Sequence, residues 1–334
     1  MSNFIKTFLI LFLIVPASTF GYEFSAMTLN VDNLFDTLDD IKKDDKAYLP
    51  IEFKQSEAHK KSCNRISVNS WKNECLYLNW NEETKNAKLK NIANSIISYG
   101  QNGPDIIALQ EVENNNILNQ LLDLLRPYGY IDSVLIEGKD YRGIDTALIS
   151  RFKIVDSKLH YIKFSGEFEG KDTRPILDAT LEVNGDKLKI YNVHFPSGFH
   201  DVSMRIDSLN VLSGLLNRHN YPTIALGDFN VNTKEDNKLN IYKSQEIYWS
   251  VAHIYACDDC KGSFYYNYGK TWEFLDTIFL SKDRGISYIE DSIEIYRTKS
   301  NSYNDTGKPI NFNPTKKYGI SDHLPMVAKF EIFN

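Results

Sequence analysis

Gly319-Ile320-Ser321-Asp322-His323-Leu324-Pro325 leads into an apolar run, Met326 to Ile332, near the end of the 334-residue chain. The run reads as a core strand entered through a turn. An acid and an imidazole therefore stand side by side at a strand mouth, where rigid scaffold meets loop and catalytic groups collect. Neighbours on a strand point to opposite faces, so both serve one site only if the backbone turns between them. A single Ser-Asp-His turn is weak evidence, and a solvated turn is the simpler reading of it. What changes that reading is the number of other polar groups in equivalent places.

Asn30 and Asp32 follow a first strand over 23–29, and Glu111 ends a strand over 105–111. Asn192 and His194 close a strand over 187–195. Asp228 and Asn230 follow a strand over 223–226, and Asp276 opens one over 275–280. Any one of these is an ordinary cap or turn residue. Together they put carboxylates, amides and two imidazoles on a common rim if the strands lie side by side.

Between them the spacing predicts strands over 144–150, 153–162 and 174–183, with Asn184-Gly185 as a hairpin turn. It also predicts three helices. Over 84–98, Ala87, Ile92, Ala93, Ile96 and Ile97 share a face, and Lys85, Lys88 and Lys90 fall mostly off it. The second spans 117–125, and the third spans 199–218 with Met204, Leu209, Leu212 and Leu216 inward. Strands alternating with a few helices make one α/β domain over 22–334. Residues 39–83 lack this regularity and read as a long surface insertion, of a length that usually has a function.

The N-terminus has the layout of a secretory signal peptide over 1–21: Lys6, a short apolar run over 7–15, then Pro16 and small residues. Its removal leaves the formal net charge of −6 one unit more negative. An acidic chain lacks the basic footprint of most polyanion binders, though a bound cation and a local basic cleft override the net field. Four cysteines in an exported chain suggest disulfides. The short local pairings Cys63–Cys75 and Cys257–Cys260 are favoured over a four-cysteine zinc site.

A rim of oxygen ligands without thiolates suits Mg²⁺, with Mn²⁺ or Ca²⁺ as alternatives. Beside such an ion, histidines supply acid, base or charge stabilisation.

Six motifs, in order, now resemble one family: Asn30-Val31-Asp32-Asn33-Leu34, Leu109-Gln110-Glu111-Val112, Asn192-Val193-His194, Gly227-Asp228-Phe229-Asn230, Leu275-Asp276 and Ser321-Asp322-His323-Leu324-Pro325. The chain is similar over 25–333 to the endonuclease/exonuclease/phosphatase superfamily, and most to its secreted bacterial nuclease-like members. The latter likeness rests on Asn33-Leu34-Phe35-Asp36, Gln110 to Asn114, Arg142 to Asp145 and Thr173-Arg174. The resemblance implies a DNase I-like, four-layer α/β sandwich of two mainly antiparallel, mixed β-sheets flanked by helices. It implies Glu111, Asn30, Asp32 and Asp322 as metal ligands. His323 would activate water or carry a proton, oriented by Asp276, with Asp228 as second base and Asn230 on the scissile phosphate. His194 would stabilise phosphoryl charge, oriented by Asp145, and Arg142, Arg174 and Asn192 would contact phosphate.

The function expected is divalent-metal-dependent hydrolysis of a phosphodiester. The first choice is an endonuclease on DNA, with RNA as an alternative, leaving 5′-phosphate and 3′-hydroxyl ends. A sphingomyelinase-like lipid phosphodiesterase or a phosphatase is the rival on the same fold. Phe264-Tyr265-Tyr266-Asn267-Tyr268 would enter a membrane surface, stack on bases or simply pack. The protein is expected to be a monomer, secreted or periplasmic, with no stable membrane association once the signal is cleaved.

Overall fold

The computed structural model describes residues 21–257 and 260–333. The expected signal peptide lies outside these residues except for Gly21, whose amide donates to Glu331. In chain order, one sheet holds β1 (Tyr22–Leu34), β2 (Ile106–Val112), β3 (Asp132–Leu135) and β4 (Asp145–Ser150), then β13 (Ile286–Tyr288), β14 (Glu294–Ile295) and β15 (Met326–Ile332). Its spatial order is β13-β15-β1-β2-β4-β3, with β14 also on β15. The other holds β5 (Lys153–His160), β6 (Ile176–Val183), β7 (Asp186–His194), β8 (Thr223–Asp228), β9 (Trp249–Val251) and β12 (Asp276–Ser281), in the order β5-β6-β7-β8-β12-β9. Each sheet has a single parallel pair among its named pairings, β1 with β2 and β7 with β8. A hairpin of β10 (Phe264–Tyr266) and β11 (Thr271–Glu273) stands apart.

The layers follow from alternation along the strands. Ala26, Ile106 and Leu148 of the first sheet meet Leu177, Leu188, Ile190 and Leu226 of the second in the central core. The opposite face of the first sheet, including Met27, Ile107 and Ile149, packs on α3 (Glu82–Ser98) and α4 (Asn115–Leu125). That of the second, including Tyr191, Val193 and Phe279, packs on α5 (Val202–Leu215) and α7 (Ile241–Gln245). Helix, sheet, sheet and helix are thus the four layers expected. Asn184 and Gly185 both take left-handed φ, 51° and 91°, as a tight hairpin of this kind requires.

Two expectations are corrected and one holds. The insertion is not irregular: it folds into α1 (Glu57–Cys63), α2 (Asn69–Tyr77) and two short 3₁₀ turns. Its Trp80 is buried with Phe35 and Ile144. The local pairings hold within it and beyond: Cys63 bonds to Cys75 and Cys257 to Cys260, which leaves no thiolates for a zinc site. Finally, Lys85 and Lys88 lie on the buried face of α3, not off it. The short strands β3, β9, β10, β11, β13 and β14 carried no legible sequence pattern. The last two helices are α6 (Thr233–Leu239) and α8 (Ala252–Tyr255).

Candidate active site

The parallel pair in each sheet brings two strand ends to the same rim. Asn30 and Glu111 come from β1 and β2, and His194 and Asp228 from β7 and β8. Gly227 makes the second junction possible. It has φ 141°, and a Cβ there would lie 2.1 Å from the Val193 carbonyl oxygen. Asp276 opens β12 directly opposite Asp228 in register.

Backbone strain collects at this rim. Asp32, Asn33, Glu111 and Asn230 have φ of 52°, 64°, 67° and 54°. Such non-glycine residues cost about 1–3 kcal/mol each and persist where surroundings over-determine them. At Glu111 the kink breaks the β2 register with both neighbours. That turns the carboxylate off the sheet and into the cleft, where its Oε2 accepts the Asn33 amide at 3.0 Å.

Asp322 and His323 lie in the irregular approach to β15 rather than on a straight strand, so the backbone turns as their common use requires. Ser321 fixes this approach by donating its hydroxyl to the Asn30 carbonyl at 2.6 Å and accepting the His323 amide at 3.0 Å. His323 Nδ1 lies 2.6 Å from Asp276 Oδ2, with Asp276 fully buried. Its other nitrogen, Nε2, is 3.8 Å from Asp322 Oδ1. Burial opposes a charged ring, but Asp276, Asp322 and Asp228 together outweigh it and hold the His323 pKa well above its usual value. Asp228 is pushed up to about 7 by burial and by Asp276, against the relief given by His323 and Asn30.

His194 is the electrostatic opposite. Burial, then Arg174, Arg142 and His323, keep its pKa well below the ordinary value, so it is neutral. Its Nε2 stands 3.6 Å from Asp228 Oδ2 and 3.8 Å from Glu111 Oε1.

Three expected roles fail on geometry, and a fourth lacks its hydrogen bond. Asp145 Oδ1 accepts the Gly138 amide at 2.9 Å, while Asp145 Oδ2 and His194 Nδ1 are both buried without a partner. Asn192 is sealed inside, bonded to the Leu109 and Ala147 carbonyls and the Gln110 amide, so it stitches the sheets together instead of meeting phosphate. Arg174 commits its donors to Asp140 and the His194 and Phe195 carbonyls. Asn30 presents its NH₂ group, not its oxygen, to Glu111 and Asp228, at 3.4 and 3.2 Å. It therefore bridges carboxylates and is not placed as a ligand. Arg142 is exposed at the mouth, and Asn230 donates to the Phe195 carbonyl and takes Asp228 on its amide.

Arg205 went unread in the sequence. Fully buried, it pairs with Glu235 and binds the Pro196, Ser197 and His200 carbonyls, shaping the loop after His194. Its place one residue after the inward Met204 was the available signal.

The remaining donors fit a hard cation. Burial, then Asp32, raise Asp322 to about 7 despite relief from His323, and Glu111 adds to the rise. Asp32, Glu111 and Asp322 thus feel one another's charge and offer the oxygen donors that a hard divalent cation takes. The carboxylates whose ligand atoms come within 4.8 Å of one another are those of Asp228 and Asp276, together with His323, but there Asp276 and His323 are bonded to each other.

Residues 74–331 match the Endonuclease/Exonuclease/phosphatase family. The chain belongs to this family. Among solved structures it is similar to an endonuclease/exonuclease/phosphatase family protein from Bacteroides thetaiotaomicron, at 14% identity and TM-score 0.59, covering 94% of this chain and 99% of that one. A mannosyl-6-phosphatase from the same organism matches at 15% and 0.54, covering 92% and 99%. A humanized D. rerio TDP2 matches at 15% and 0.53, covering 92% and 98%. No curated protein is a match. Family members hydrolyse phosphoesters and are in general divalent-metal dependent, which places this chain among phosphoester hydrolases.

Proposed function

We propose that the protein is a divalent-metal-dependent phosphodiesterase acting on nucleic acid, with DNA as the first substrate and RNA as an alternative. The observation that carries the reading is the His323–Asp276 pair facing Asp228 across from the carboxylates of Glu111, Asp32 and Asp322. Those three carboxylates would hold the ion, Mg²⁺ by the hardness of the donors. When bound, it supplies Lewis-acid charge to the phosphoryl group.

The protein's own groups divide the remaining work. Asp228 is placed to take a proton from the attacking water as it adds in line to phosphorus. His323 has Nδ1 committed to Asp276, so Nε2–H points a charged donor at a phosphoryl oxygen. The carboxylates of Asp276, Asp322 and Asp228 raise its pKa, which favours the proton-carrying one of its two expected roles. Neutral His194 adds a second contact from the opposite wall. The scissile P–O bond breaks as the new one forms, and the departing oxygen takes a proton.

Support for nucleic acid comes from the mouth. Tyr141 beside Arg142, Phe199 after the His194 loop and Tyr268 at the tip of the β10–β11 hairpin are exposed, the last two by 94% and 93%. Aromatics over a phosphate-binding cleft suit base stacking. The hairpin is not merely packed: Phe264 rests on the His323 ring at 5.0 Å while Tyr268 projects. Ile41, 92% exposed, together with Phe199 would equally suit a lipid surface, which is the specific support for the lipid phosphodiesterase reading. The leader-like N-terminus and paired cysteines support action outside the cytoplasm; a monomer remains the expected state.

The test is plasmid nicking by the mature chain with Mg²⁺, beside EDTA and His323→Ala. Metal-dependent nicking lost in His323→Ala is the expected result. No cleavage of DNA or RNA under any divalent cation, with turnover of choline phospholipid vesicles, would transfer the assignment to lipid.

A further inference from the structure

Lys88 is buried at 2% exposure on α3, behind the carboxylate side of the cleft. Its ammonium donates to the main-chain oxygen of Asp32. Trp80 and Phe312 flank it, with ring centroids 6.0 and 5.3 Å from Nζ. That carbonyl belongs to the same peptide unit as the Asn33 N–H, and the Asn33 N–H donates to Glu111 Oε2 at 3.0 Å. Both residues of the unit are left-handed, a conformation that Asp and Asn tolerate better than other non-glycine residues.

We propose that Lys88 is a positioning residue that acts through the Asp32–Asn33 peptide to aim and polarise the Glu111 carboxylate. A cation on an amide oxygen draws electron density from the nitrogen, so the N–H on the other side becomes a stronger donor. The chain of contacts is ammonium, carbonyl, amide, carboxylate. It fixes the plane of the peptide, and hence the direction from which Glu111 is gripped. Asn30 grips the other oxygen, Oε1, at 3.4 Å. The insertion closes the arrangement: Trp80, its terminal aromatic, donates Nε1 to the Phe35 carbonyl and pins the chain just beyond the same corner. Burial lowers the Lys88 pKa, while Asp32, Glu111 and Asp322 work to restore its charge.

Three accounts of Lys88 differ in sign. If it serves only packing, replacing it by Met leaves affinity for Mg²⁺ unchanged. If it acts only as a nearby charge, removing it tightens Mg²⁺ binding by relieving repulsion. If it positions Glu111, Mg²⁺ binding weakens, by about tenfold to a hundredfold as for other groups that orient a ligand.

The inference rests on Glu111 holding the ion, so the experiment is arranged to separate the two. Mg²⁺ binding to the mature chain is measured by titration calorimetry for wild type, Lys88→Met, Lys88→Gln and Glu111→Gln. The Asn33 amide proton is followed by NMR in metal-free protein. The expected result is weak binding in Lys88→Met, partial recovery in Lys88→Gln, which keeps a neutral donor, and an upfield Asn33 amide shift in both. Unchanged or tighter Mg²⁺ binding in both Lys88 variants, with Glu111→Gln impaired, overturns the inference and leaves the metal reading intact. An unmoved Asn33 amide overturns it whatever the metal does. Wild-type binding in Glu111→Gln removes the metal reading alone, and the amide shift then decides on Lys88.

Discussion

The two walls of the cleft are built on different principles. On the β1–β2 side, Asp32 and Glu111 face the opening on left-handed backbone, with a lysine behind them. On the β8–β12 side, Asp228 and Asp276 sit on regular strand ends and are engaged with imidazoles. The first wall uses left-handed backbone to aim carboxylates that amide N–H groups hold. The second uses an ordinary ladder and places charge by pairing. One wall is suited to holding a cation, the other to moving protons. His323 joins them, because its backbone enters the first sheet through β15 while its side chain serves the second.

Mutation should separate the walls. The largest effect is expected for His323→Ala and Asp276→Asn: hydrolysis falls by about 10²- to 10⁴-fold, and calorimetry shows Mg²⁺ affinity within about twofold of wild type, a margin set by ordinary mutational noise. A parallel loss of Mg²⁺ affinity would break the division. Glu111→Gln should instead remove Mg²⁺ binding, and with it both hydrolysis and the metal-induced rise in melting temperature.

The disulfide sharpens the comparison, because the insertion backs only the first wall. Opening Cys63–Cys75 with Cys63→Ser and Cys75→Ser should release about 2–3 kcal/mol of local stability. Limited proteolysis should then cut within 39–83 while nearby Mg²⁺ binding weakens. Unchanged cleavage of that segment would show that the bond does not restrain it.

The smallest effect is a control on the far side of the second sheet. His253 bonds to Thr277 and stacks on Phe274, and burial lowers its pKa to about 3. The folded form therefore binds its proton less readily than the unfolded chain. Its contribution is full above the unfolded value near 6.5 and is lost as pH falls toward 3. Between pH 7 and 5 this amounts to on the order of 1–2 kcal/mol. His253→Phe should flatten the decline in melting temperature over that interval without touching Mg²⁺ binding. An unchanged decline would assign acid sensitivity to the cleft instead.

The strand-end pattern made the rim legible, since apolar runs closing on polar residues are a period-two signal. Glu111, Asp228, Asp276, Asp322 and His323 converge as that signal implies. Asn192 and Arg174 show its limit. They are polar at strand ends, as the others are, but one bonds across the sheets and the other holds carbonyls. Only the direction of the side chain tells them apart. The left-handed residues at Asp32, Asn33 and Glu111 were equally hidden, because none is glycine. Lys88 was misplaced for a different reason: helical periodicity was read from apolar residues alone, and its position one turn before Ile92 was passed over.

Ser321 reaches back to Asn30 across 291 residues of chain, and β15 is the antiparallel neighbour of β1. The early strand β1 therefore waits for β15, which is synthesised much later. A ribosome that has not yet reached residue 322 has produced most of both sheets but neither Asp322 nor His323. On the proposed mechanism every chain that stops short of these residues is inert, and catalysis begins only when this late segment zips into place, so the order of synthesis itself acts as a safety catch.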